Sequence, residues 1–210
     1  MKKIHFALVK LPVISITLFF CCCLVAALIH PGSEKEIIDF KMDRYSFTHN
    51  FLSELGSFKT NTDETNPLII QEDNTPSMLL FNGSLIFIGA TLVLFYIQFK
   101  EVFIQINDTD KAQKYGALTK PLGILAGILY AGVGFVPHDL HFGAHVFFAN
   151  GAFLVLFFLC VFHSMSVYHS KFLSNRYAFG YLLFCVVLFV YRLYIVLRVC
   201  VCVLLLLLLL

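Results

Sequence analysis

The chain has 210 residues, 59% of them hydrophobic and 13% charged, with a mean hydropathy of +0.84 and a formal net charge of +2. Soluble domains run at about 45–50% apolar and about 25% charged, so this composition excludes a fold solvated by water alone. The small charge, with basic residues scattered among polar segments, argues against a nucleic-acid partner.

Lys2, Lys3 and Lys10 lead into an uncharged run over residues 11–29. That length suits a hydrocarbon core about 30 Å thick. A cleaved signal peptide would share the basic start. The run is long for such a segment, however, and Ala-Leu-Ile-His-Pro is a poor small-residue cleavage site, so a retained span is expected.

Residues 30–77 are the extended polar segment and hold nine of the thirteen acidic residues. Within them, Phe47, Phe51, Leu55 and Phe58 recur at helical spacing, with His49, Asn50 and Ser53 pointing away. The pattern predicts a short amphipathic helix over 44–58, lying on the membrane surface. The stretch after it is rich in turn residues.

Further spans are predicted over 78–99, 117–137, 142–167 and 177–197, with a polar loop over 100–116. Gly123, Gly127, Gly132 and Gly134 would let a neighbouring helix approach the third span closely. The fifth carries Arg192, with Arg198 just beyond. Residues 199–210, VCVCVLLLLLLL, form a low-complexity apolar tail too short to cross alone at about 1.5 Å per residue. The seven cysteines lie in apolar runs, as small hydrophobes and not as a disulfide framework. Lys2, Lys3, Lys10, Lys100, Lys111, Lys114, Lys171 and Arg176 fall on one side of this layout, and the loop around His138 has no Lys or Arg. The positive-inside rule then puts the N-terminus in the cytoplasm and the His138 loop outside.

That loop, GVGFVPHDLHFGAHVFFAN, gathers His138, Asp139, His141 and His145 within eight positions. On a helix His141 and His145 share a face, and with Asp139 they make a possible divalent-metal set, zinc being the natural ion. The spacing is only His-x-x-x-His, without the Glu of the zincin motif, and interfacial histidines without any ligand are the plainer reading. Asn82 and Ser84 in the second span and His145 in the fourth sit at similar depth, beneath the segment bearing His49, Asn50 and Ser53. Polar groups at such depth mark either a site or an interhelical hydrogen bond. Ser53 and Glu54, with His49 as base, also admit a nucleophile reading, although neighbours on a surface helix more often only solvate it. His163, about 27 Å further along a straight helix, belongs to the opposite end. The Asn-x-Ser/Thr triplets at Asn82 and Asn107 fall where chance explains them better than glycosylation.

Several of these features together resemble the uncharacterised membrane family catalogued as domain of unknown function 998. They are Ser53-x-Leu55-Gly56 before a polar loop, Asn82 early in the second span, and Gly134, Phe135, Pro137, His138 and Asp139 ahead of His141 and His145. The match covers residues 10–198. The chain is more distantly similar to the Frag1/DRAM/Sfk1-like membrane proteins. The resemblance implies a compact helical bundle in the cell membrane, usually of six spans, and no established reaction. Five clear spans followed by a leucine tail depart from that pattern.

The expectation is thus one all-α multi-pass transmembrane domain over 1–198 in the cell membrane, with membrane lipids as partners. Its leading role is binding or sensing lipid headgroups at an outward-facing polar site. A lipid-modifying hydrolase, with or without a metal, is the alternative. A small transporter is disfavoured, because spans one to four carry no charge at mid-membrane and no broken-helix pair is visible.

Overall fold

The computed structural model describes residues 5–208, with side chains from His5 to Tyr191 and at Leu193 and Tyr194. Lys2, Lys3, the side chains of Arg192 and Arg198, and the side chains of the leucine tail lie outside the described residues. The fold is mostly helical, at 72%, which places it in the all-α class.

Helix α1 covers Leu11–Ile29 and follows a π-helical turn over Phe6–Lys10. A three-residue hairpin comes next, with β1 (Ser33–Lys35) antiparallel to β2 (Phe40–Met42). After a 3-10 turn at Leu52–Gly56 come α2 (Thr75–Gln105), α3 (Asp110–Phe135), α4 (Phe142–Tyr168) and α5 (Asn175–Leu208). Among the described residues four helices are long and apolar enough to cross a membrane: Phe6–Ile29 and α2 to α4.

Polar side chains mark where α2, α3 and α4 begin. Asp73 Oδ1 accepts from Thr75 Oγ1–H at 2.6 Å, and Pro76 follows in the first turn of α2, where its missing N–H costs nothing. Thr109 Oγ1 accepts from Ala112 N–H at 3.1 Å to cap α3. His141 Nδ1 does the same for α4, from Ala144 N–H at 3.1 Å.

The chain divides into two compact units. The first, Met1–Phe95 with Ala126–Gly151, has a core of Cys23, Ala26 and Ala27 from α1, Tyr45 and Leu55 from the polar segment, and Phe81 and Leu85 from α2. In the second, Tyr96–Leu125 with Ala152–Leu210, Phe103, Ala112 and Leu159 are fully enclosed, and Ser166 Oγ–H donates to Ala112 O at 2.7 Å.

Two expectations are corrected. The helix over 44–58 does not form; turns and the 3-10 turn take its place, with Leu55 buried while Phe47 and Phe51 are 64% and 74% exposed. The cause is local: Glu54 Oε1 accepts from Phe51 N–H at 2.8 Å, a donor that a helix would turn to the Phe47 carbonyl, and Asn50 Oδ1 accepts from Ser46 N–H at 3.0 Å to stabilise the turn instead. The loop over 100–116 shrinks to residues 106–109, because α2 and α3 run on through Lys100, Lys111 and Lys114. At 31 residues and about 1.5 Å per residue, α2 extends well past a hydrocarbon core of about 30 Å. Residues 177–208 continue as helix without a break, so the fifth apolar run and the tail share one element.

Candidate functional site

The first unit brings the α3–α4 connection onto the end of the polar segment. Pro137 opens a turn in which Leu140 and His141 N–H donate to Pro137 O at 3.1 and 3.2 Å. The turn presents Asp139, whose Oδ2 accepts from the backbone N–H of Phe58 at 2.8 Å and of Lys59 at 3.1 Å, across some eighty residues of sequence. Asp139 Oδ1 and His138 Nδ1 are both buried without a hydrogen-bond partner. One turn into α4, His145 Nδ1 lies 2.8 Å from Val136 O. A carbonyl only accepts, so Nδ1 carries the proton and the neutral ring keeps Nε2 as an acceptor. The His138 and His145 rings stand edge to face at 5.9 Å. Three of the expected site residues therefore form one cluster, with two polar atoms that the protein leaves unpaired.

The others are employed elsewhere. His141 is the exposed cap of α4, which engages its Nδ1. Among the described residues no three His, Cys, Asp or Glu side chains are gathered as a metal shell. Asn82 does not turn towards His145; its Nδ2–H donates to Gly56 O at 2.9 Å. Ser84 Oγ–H donates to Phe81 O of its own helix at 2.6 Å.

Glu54 is a structural hub. Its Oε1 accepts from Lys35 Nζ at 2.9 Å, and its Oε2 from Asn50 Nδ2 at 2.6 Å. Asn50 Nδ2 also donates to Ser33 Oγ at 2.7 Å. His49 stacks on Phe40 at 4.3 Å, with Nδ1 at 2.8 Å from Thr48 Oγ1 and 3.2 Å from Ser46 Oγ. Ser53 is half-buried, and the carboxylate and imidazole expected to serve it, Glu54 and His49, are both committed to other partners.

Two residues that sequence reasoning passed over matter here. Asn74 Nδ2–H reaches the carbonyls of Glu54, Leu55 and Ser57 at 3.2, 3.4 and 2.9 Å. An Asn just ahead of Thr-Pro and an apolar run was the available signal. His30, at the end of α1, accepts from Gly32 N–H at 3.0 Å and packs edge-on against Tyr45 at 5.4 Å. Burial lowers its pKa below the ordinary histidine value, against a smaller opposing pull from Glu54. His163 lies not at a surface but buried in the second unit, stacked on Phe99 at 4.2 Å and 3.2 Å from Tyr96 Oη through Nδ1.

No family model matches this chain, and neither does any curated protein or solved structure.

Proposed function

We propose that this is a multi-pass protein of the cell membrane that binds lipid headgroups through His138, Asp139 and His145. The observation that carries the reading is the pairing state of Asp139. One oxygen clamps the Phe58–Lys59 backbone, while the other, beside an equally unpaired His138 nitrogen, is buried with nothing to accept from. A buried carboxylate oxygen is costly without a donor, so the cluster favours a headgroup that brings N–H or O–H groups to it. The distribution of Lys and Arg supports a cytoplasmic N-terminus, with this cluster outside and α5 as a fifth span. The kinship with the domain-of-unknown-function-998 proteins that goes with this reading rests on the sequence resemblance alone.

Purified protein in nanodiscs should retain phosphatidylethanolamine, which has N–H donors, in preference to phosphatidylcholine, which has none. Asp139→Asn keeps one oxygen for the clamp and should fold, but lose that preference. Equal retention of the two lipids by wild type would defeat the reading. A reporter inserted at 106–109 should be cytoplasmic and one near Thr62 external; the opposite pattern would invert the topology.

A further inference from the structure

In the second unit, the first turns of α5 carry a surface groove of about 330 Å³ lined by Arg176, Tyr177, Gly180, Tyr181 and Phe184. Gly180 forms its floor, where a Cβ would meet nothing within 4 Å. Tyr181 forms a fixed wall, its ring 3.9 Å from that of His163, which in turn stacks on Phe99. The outward faces of Tyr177, Phe179 and Leu183 are 65%, 59% and 67% exposed, which is the surface that a helix presents to lipid.

The cation at the mouth has no acidic partner. Among the described residues the ion pairs are Lys35–Glu54 and Lys41–Glu34, so no carboxylate holds the exposed Arg176 guanidinium. Asp108, an acidic group on the neighbouring connection, is already taken by Thr109, Ser170 and Lys171. A free guanidinium above an apolar furrow on a lipid-facing helix matches a phosphate with an acyl chain beneath it.

We infer that this groove holds one anionic phospholipid, its phosphate on Arg176 and an acyl chain along Gly180, Tyr181 and Phe184. The inference rests on the membrane placement of α5 proposed above and not on the Asp139 cluster.

The test is native mass spectrometry of the full chain after exchange into phosphatidylglycerol or phosphatidylcholine. Wild type should retain one phosphatidylglycerol about fivefold better than phosphatidylcholine, the scale set by one interfacial cation. Arg176→Gln should erase the preference and Arg176→Lys should keep most of it. Gly180→Leu should fill the furrow and lower retention of both lipids, with an unchanged unfolding temperature because the position opens onto free space. Asp139→Asn should leave phosphatidylglycerol retention intact, which separates this site from the headgroup cluster. Equal retention of the two lipids by wild type, an undiminished preference in Arg176→Gln, or undiminished retention of both lipids in Gly180→Leu would overturn the proposal.

Discussion

Asn82 Nδ2–H donates to the carbonyl of Gly56, twenty-six residues earlier, at 2.9 Å, and fixes the 3-10 turn onto the first turns of α2. Asn74 and Ser77 act alongside it, so the carbonyls of residues 54–57 are met by side chains of the α2 start. The fit is close: a Cβ on Gly56 would lie 2.3 Å from Asn82 Oδ1 and 3.0 Å from the Phe81 ring. Gly56→Ala should therefore destabilise by about 1–3 kcal/mol, the usual cost of overpacking. Asn82→Leu should cost about as much by orphaning a buried carbonyl. Thermal unfolding in detergent checks both, and wild-type midpoints would show that the turn is held by its neighbours alone.

The apolar helices were legible in the sequence because lipid-length runs have one economical conformation, and the run over 11–29 coincides with α1. The polar segment was not. The spacing of Phe47, Phe51, Leu55 and Phe58 mimics a helix, but Ser33, Asn50 and Glu54 form a side-chain network, tied to the backbone N–H groups of Ser46 and Phe51, in which no periodicity registers. The cluster of His138, Asp139 and His145 was visible as composition. Its bond to the Phe58–Lys59 backbone was not, because a carboxylate reaching eighty residues back leaves no local trace.

The glycines of α3 give a second prediction. Gly127 faces Gly89, where an added Cβ would lie 2.5 Å from the Gly89 carbonyl oxygen and 2.6 Å from Val93 Cγ2. Backbone cannot swing aside as a flexible side chain can. Gly127→Leu should abolish folded expression, whereas Gly83→Leu, at a position with nothing within 4 Å, should express normally. Equal yields from the two would show that the α2–α3 approach is not close.

His30 makes the first unit sensitive to acid. Its ring is buried with Nε2 unpartnered, and burial holds its pKa below 6.5. A depressed histidine contributes stability that is full above its unfolded pKa of about 6.5 and is lost as pH falls towards the folded value. The unfolding temperature should therefore drop between pH 7 and pH 5. In His30→Asn, whose oxygen can still accept from Gly32 N–H, that drop should be smaller. An identical pH slope in the variant would remove His30 as its source.

Asp108 governs the connections of the second unit. Burial works against its charge, yet the Lys171 N–H, the Ser170 hydroxyl and the Thr109 N–H together hold its pKa below the usual carboxylate range. These bonds join residues 106–109 to the α4–α5 connection, and Thr109 Oγ1–H adds a bond to His169 O at 2.8 Å. A depressed carboxylate stabilises the fold above its unfolded pKa of about 3.9, and the contribution disappears as pH falls through the folded value. Asp108→Asn removes the charge while keeping one acceptor, and should cost about 1.5–3 kcal/mol at pH 7, the range for a hydrogen bond to a charged group. Hydrogen exchange at the backbone amides of Thr109 and Lys171 should quicken first, because those donors lose their ionised acceptor. The gap between variant and wild type should narrow as the pH falls from about 4 through the folded value, where Asp108 itself becomes neutral. A gap that stayed constant with pH would mean that the Asp108 charge does not carry the connection.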